Sequence, residues 1–193
     1  MHIIVGLRNK GDEYLKTRHN AGGIVVAEIV NSKKLEPKMD KIFSGNVFSG
    51  EIKDEKVKFV LPELFMNNSG ASLKNQSFTP KKLEKLVIVH DDIDLPLGKF
   101  KISFGRNSGG HKGVESVIRA VKSKDFVRVR IGICPVTPSG KLKKMESGKI
   151  PDFVVGDFKS PEFEMIKKIS KEVLSALEVL VEEGRPKAMT LFN

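Results

Sequence analysis

The sequence predicts an α/β protein: one three-layer α/β/α domain over residues 1–193, with a twisted mixed β-sheet flanked by helices. Three observations predict it. Short β-branched apolar runs alternate along the chain with segments of helical period. Two of those runs, His2–Leu7 and Leu86–His90, are apolar almost throughout, as strands covered on both faces are. A third, Lys99–Phe104, alternates Phe100, Ile102 and Phe104 with Lys101 and Ser103, so one of its faces meets water. A chain of 193 residues can bury such a core without disulfides or metals.

Each element follows from its own pattern. The strand His2–Leu7 ends at a turn. From Asn20 to about Ser32, Ile24, Val25, Ala27, Ile29 and Val30 recur with helical period. Phe43–Phe48 and Val57–Leu61 read as strands, the second stopped by Pro62. Asn67–Ser77 is expected as a short helix, and Leu86–His90 as a strand followed by an acidic turn, Asp91-Asp92-Ile93-Asp94. Gly113–Val121 is expected as a helix. Val127–Ile133 is expected as a strand with Arg128 and Arg130 on one side. Pro135–Pro151 holds Pro, Gly, Ser and Lys without an apolar period, which predicts a mobile basic loop. In the last helix Ser160 is the expected N-cap and Pro161 the first helical residue. Ile166, Ile169, Val173, Leu174, Leu177, Leu180 and Val181 form its apolar stripe, and Gly184 and Pro186 end it.

Composition narrows the partners. Lys and Arg number 34 against 24 Asp and Glu, a formal charge of +10, so a polyanion such as nucleic acid is the first partner to test. The lone Cys134 excludes an intramolecular disulfide, suits a reducing compartment, and reads as a small buried hydrophobe. No apolar run approaches the roughly 18 residues that span a bilayer, and the chain starts without a signal-peptide layout. A cytoplasmic location with no membrane partner is therefore expected. With no Trp and one Tyr, a broad base-stacking platform is not expected.

The chemistry is reached partly by exclusion. There is no G-x-S-x-G elbow. Gly105–Gly113 (GRNSGGHKG) lacks the spacing of a P-loop or a dinucleotide fingerprint. Without HExxH or a paired Cys/His set, neither a metal nor another cofactor is expected. Four histidines remain, of which His2 opens the chain and His90 closes a buried strand. His19 stands at a turn entering a helix. Asn9, Asn67, Asn68 and Asp91 stand where expected strands end, the place where α/β sheets gather their chemistry. A His held by a carboxylate is a general base, and side-chain amides can donate to an oxyanion. Direct attack by water on an activated bond such as an ester is the economical scheme.

These residues resemble those of the bacterial peptidyl-tRNA hydrolases. The resemblance runs through Val5-Gly6-Leu7-Arg8-Asn9-Lys10-Gly11, Thr17-Arg18-His19-Asn20-Ala21-Gly22 and Phe65-Met66-Asn67-Asn68-Ser69-Gly70. It continues through His90–Gly98, Gly109–Gly113, Arg130–Ile133 and Asp152–Gly156, in the family's order and over nearly the whole chain. It implies cleavage of the ester joining a peptide to the tRNA 3′ ribose. It implies His19 as general base, Asp91 as its orienting carboxylate, Asn9 as a contact near the scissile ester, and Asn67 as support for water or oxyanion. Tyr14, Phe65 and Met66 would line the cleft, with His111 and Lys112 on the substrate. Lys101, Arg106 or Arg130 would take the tRNA phosphate, since Ser103 stands where the family has a basic residue. Lys10 replaces the family's Pro and Lys112 its Asn. The implied partner is the acceptor stem and 3′ end of peptidyl-tRNA, met by a monomer with no obligate protein partner. A non-catalytic RNA-binding relative is the alternative, and a peptidase of similar architecture a weaker one. Residues 99–149 hold 13 Lys and Arg against 3 Asp and Glu, so this stretch carries the whole excess of charge.

Overall fold

In a computed structural model of the chain, which describes residues 1–143 and 145–193, seven strands form one sheet. They are β1 (His2–Gly6), β2 (Lys38–Asp40), β3 (Gly45–Ile52), β4 (Glu55–Pro62), β5 (Leu86–Pro96), β6 (Phe100–Phe104) and β7 (Val127–Cys134), in the order β2-β3-β4-β1-β5-β7-β6. β1 runs parallel to β4 and β5, and β5 parallel to β7. The β2–β3, β3–β4 and β6–β7 pairs are antiparallel, so the sheet is mixed.

Two apolar layers cover it. On one face pack α1 (Ala21–Ser32), the long α5 (Ser160–Glu182) and α6 (Arg185–Phe192), through Val25, Ile29, Ile166, Val173, Leu177, Leu180 and Ala188. On the other pack α3 (Lys112–Val121) and a 3-10 segment, Met66–Ser72, through Val114, Val117, Met66 and Leu73 onto Val5, Leu7, Leu86 and Ile88. The second layer covers the middle of the sheet. Over β6 and β7 its place is taken by polar side chains: cross-strand neighbours Ser103 and Arg128, then Lys101 and Arg130. Lys101 is exposed there, as the alternation of Lys99–Phe104 predicts, while Ser103 and Arg128 are buried.

Several expectations are corrected. The acidic stretch Asp91–Asp94 is no turn. β5 continues through it to Pro96, paired with β7 up to Gly132 and again at Cys134 across a register shift. Pro62 is the last residue of β4 and still faces Gly45 in the ladder. The helix expected over Asn67–Ser77 is the shorter 3-10 segment. The stretch Pro135–Pro151 carries local structure that the pattern did not show. Thr137 and Lys141 close a tight turn, and a 3-10 turn (Ser147–Lys149) leads into α4 (Ile150–Val155), with Pro151 inside its first turn. Lys144, within that stretch, lies outside the described residues. Lys159, not Ser160, caps α5, and the Glu162 carboxylate accepts its backbone N–H at 2.8 Å. Pro186 does not mark an end either, because after Gly184 (φ 87°) the chain turns and starts α6. β2, α6 and the short helix α2 (Pro80–Leu83) had no counterpart in the pattern. No helix among the described residues is long and apolar enough to cross a membrane.

Candidate active site

The C-terminal ends of the neighbouring strands β4, β1 and β5 open into one cleft of about 1120 Å³. Asn9 follows β1, Phe65–Asn67 follow β4, and Asp91 stands on β5 itself. His19 belongs to a 3-10 turn, Arg18–Asn20, that leads into α1. Gly22 lets that turn approach, for a Cβ there would overlap the Val89 carbonyl of β5. From the other side Arg18 anchors the turn. Its backbone N–H donates to Gly156 O at 3.1 Å, and its guanidinium pairs with Glu162 at 3.1 Å and stacks on Phe153 at 4.5 Å.

His19 Nδ1 meets both oxygens of Asp91, at 2.9 and 3.0 Å. Asp91 is 4% exposed. Burial works against its charge, but His111 and His19 outweigh burial and hold the carboxyl well below the usual carboxylate range. Burial pulls the His19 imidazole down. The charge and hydrogen bond of Asp91 overcome it, with Lys112 opposing, and the net shift is upward. With Nδ1 committed to Asp91, Nε2 is the nitrogen left for a proton from the cleft. His90 is buried within β5. Its Nδ1 donates to the Asp91 carbonyl at 2.7 Å, and burial keeps the ring neutral, its pKa well below the ordinary value.

Asn9 is set from two sides. Its backbone N–H donates to Asn20 Oδ1 at 2.7 Å, and Asn20 Nδ2 donates back to the Asn9 carbonyl at 3.0 Å. Its side-chain Oδ1 accepts the Met66 N–H at 2.8 Å, which leaves the Asn9 Nδ2 as a donor group on the cleft. Asn67 is exposed on the same wall. Phe65, 49% exposed, meets Tyr14 edge-on at 6.4 Å, and Lys10 Nζ lies 5.1 Å from its ring centre. Met66 also borders the cleft, but it is 3% exposed and packs mainly in the core.

His111 is more than a wall residue. It caps α3, its Nδ1 accepting the Gly113 and Val114 N–H groups at 3.1 and 3.2 Å, while its Nε2 lies 2.8 Å from Asp91 Oδ1. Ligand atoms of His19, Asp91 and His111 lie within 4.8 Å of one another, a spacing a metal could use. The fit is poor. A ring whose Nδ1 accepts two N–H bonds carries its proton on Nε2 and shows Asp91 a donor, so metal binding would have to undo the cap.

Lys101, Arg106, Arg130 and Lys112 all reach the cleft. Lys101, Arg106 and Lys112 are exposed, whereas Arg130 is tied to Asp92 at 2.7 Å. Sequence reasoning gave no role to Asn20, which pins Asn9, or to Arg128, which is buried beside Ser103 with its Nε unpaired among the described residues. The signal for Arg128 was its period-2 spacing from Arg130. Cys134 is buried, as expected of a small hydrophobe.

The family model for peptidyl-tRNA hydrolase matches residues 3–193. A peptidyl-tRNA hydrolase of Thermodesulfovibrio yellowstonii is 36% identical, covering 100% of this chain and 99% of its own length. One of Fervidobacterium nodosum is 37% identical, covering 99% and 95%. The crystal structure of peptidyl-tRNA hydrolase from Acinetobacter baumannii superposes with a TM-score of 0.85 at 30% identity, over 100% of this chain and 94% of that one. This chain belongs to the peptidyl-tRNA hydrolase family.

Proposed function

We propose that the chain hydrolyses the ester between peptide and tRNA in peptidyl-tRNA, with His19 as general base, and releases the tRNA for reuse in translation. The carrying observation is the contact of His19 Nδ1 with both Asp91 oxygens, at the mouth of a cleft that continues onto a basic sheet face. Asp91 keeps the proton on Nδ1, and Nε2 takes one from water as that water attacks the ester carbonyl. The tetrahedral oxyanion falls within reach of amide N–H donors from Asn9 and Asn67. When the intermediate collapses, the C–O bond to the ribose breaks and the imidazolium returns its proton to the leaving ribose oxygen.

The two ends of the cleft divide the substrate. Tyr14, Phe65 and the edge of Met66 suit the peptide. Lys101, Arg106, Lys112 and the free edge of Arg130 suit phosphates of the acceptor stem and 3′ end. A peptidyl nitrogen belongs to a neutral amide, whose N–H donates and whose carbonyl accepts within the amide-type hydrogen bonds of this site, whereas the ammonium of a free aminoacyl group must be desolvated. The protein is proposed to act as a cytoplasmic monomer.

The test is release of tRNA from N-acetylated against free aminoacyl-tRNA. The proposal expects preference for the blocked ester and its loss in His19→Ala with the fold intact. Binding of tRNA without turnover in the wild type would favour the non-catalytic reading, and hydrolysis of peptides lacking nucleic acid would favour the peptidase.

A further inference from the structure

Asp91 accepts hydrogen bonds from two imidazoles, and His19 needs only one of them. Oδ1 takes the Nδ1–H of His19 and the Nε2–H of His111, at 2.9 and 2.8 Å. The His111 ring is held independently of the substrate. Gly109 and Gly110, both at positive φ (64° and 84°), turn the chain into it, and the first turn of α3 fixes its Nδ1 with two backbone N–H groups. That capping decides the tautomer, since a nitrogen accepting two N–H bonds bears no hydrogen. His90 stands edge-on against the same ring at 4.7 Å, and the His19 ring lies 4.8 Å away on the other side.

We propose that His111 is a positioning residue: the start of α3 locks its Nε2–H onto Asp91, and this bond fixes where the carboxylate sits and how much of its charge reaches His19. The proposal rests on the reading of His19 as general base and gives His111 a role other than substrate contact. The other charged or titratable groups around the cluster are His90 and Asp92 on β5, Arg128 and Arg130 on β7, and Lys112 on α3. Among the described residues none of their side chains hydrogen-bonds the Asp91 carboxylate.

The two jobs of His111 separate in His111→Asn. Asparagine is a good N-cap, so α3 keeps its first turn, but its side chain is too short to reach Asp91. With one donor gone, the carboxylate charge falls more fully on His19. Expected are a thermal midpoint close to wild type and a His19 pKa raised by about half a unit to one unit, read by NMR titration. The acid limb of the pH–rate profile should move up with it. On the plateau kcat should fall about tenfold and KM stay within about twofold. If His111→Asn does not fold, His111→Ser, also a good N-cap and shorter still, carries the same readouts. A raised KM with an unmoved His19 pKa would make His111 a substrate contact and overturn the proposal. A lowered thermal midpoint with unchanged pKa and kcat would make it a cap only, and overturn it equally. If His19 is not the base, the wild-type rate will show no limb at the His19 pKa, yet the NMR comparison still reports on His111.

Discussion

Asp91→Asn tests the centre most directly. In the wild type both carboxylate oxygens face His19 Nδ1 at 2.9 and 3.0 Å, and Oδ1 also faces His111 Nε2 at 2.8 Å. Asparagine supplies one oxygen and one NH2. If the oxygen keeps the His111 donor, the NH2 replaces Oδ2 and points at His19 Nδ1. Two donors cannot face each other, so His19 switches tautomer, and an Nε2 that already carries the proton cannot accept one from water. The lost charge matters as well. At 2.9 Å and an effective dielectric of about 20, the ion pair formed during proton transfer is worth at most about 6 kcal/mol. Because His111 shares the carboxylate and a dipole remains, roughly 4 kcal/mol is the realistic loss, or about three decades in rate. The assay is the initial rate of tRNA release from N-acetyl-aminoacyl-tRNA between pH 5 and 9, with binding of deacylated tRNA as a control. The acid limb should also move down, because the group that raises the His19 pKa has gone. A rate within tenfold of wild type, with the limb unmoved, would refute the role given to Asp91.

Three further outcomes are expected. Gly22→Ala puts a Cβ into the Val89 carbonyl, so it should cost about 2 kcal/mol or more in urea unfolding and lower kcat by lifting the His19 turn off β5. Arg106→Ala or Lys101→Ala should weaken tRNA binding and flatten the slope of log K against log salt by about 0.7 to 0.9 per lost phosphate contact, with kcat nearly unchanged; an unaltered slope in both would remove these residues from the interface. His2 is buried at the start of β1, where burial, with Lys85 and the N-terminus nearby, pushes its pKa down to about 4. Between its unfolded value near 6.5 and that folded value the unfolded chain binds the extra proton, so stability is lost as the pH falls through this window. His2→Phe should flatten that loss by about 2 kcal/mol after discounting for partial screening, and a parallel pH–stability curve would count against it.

What could be read from the sequence was what the core imposes. β1 and β7 each have one face apolar throughout, β4 is apolar on one face over Val57–Leu61 and β5 on both over Leu86–Val89, and the stripe of α5 is set by its packing on α1, so period alone located them. The errors fall where polar residues follow a different rule. Asp91–Asp94 looks like a turn because Asp favours turns, yet its carboxylates answer to His19, His111 and Arg130, while the backbone goes on pairing with β7. Gly184-Arg185-Pro186 signals the end of one helix and the start of another with the same residues, because proline suits a first helical turn as well as it ends a helix. His19, Asp91 and Asn9 were legible through the family's blocks. The work of Asn20 and His111 was not, since it consists of bonds between residues 11 and 20 positions apart.

The concentration of charge in residues 99–149 has a related cause. α3 and the 3-10 segment Met66–Ser72 stop short of β6 and β7, so the side chains alternating on that face have no apolar layer to join. A sheet face left open must be polar to stay wet, but it need not be cationic. Here Lys101, Ser103, Arg128 and Arg130 occupy four neighbouring ladder positions, and Arg128 is buried with its Nε unpaired among the described residues, a costly arrangement. An anionic ligand would relieve that cost, and the neighbouring β5 leads from this floor to Asp91 through His90, the ladder partner of Arg130. The strand that carries Arg130, one of the proposed phosphate contacts, is thus paired with the strand that carries the carboxylate of the proposed reaction. On the proposed reading, gripping the RNA and orienting its ester are tasks of neighbouring strands in one sheet.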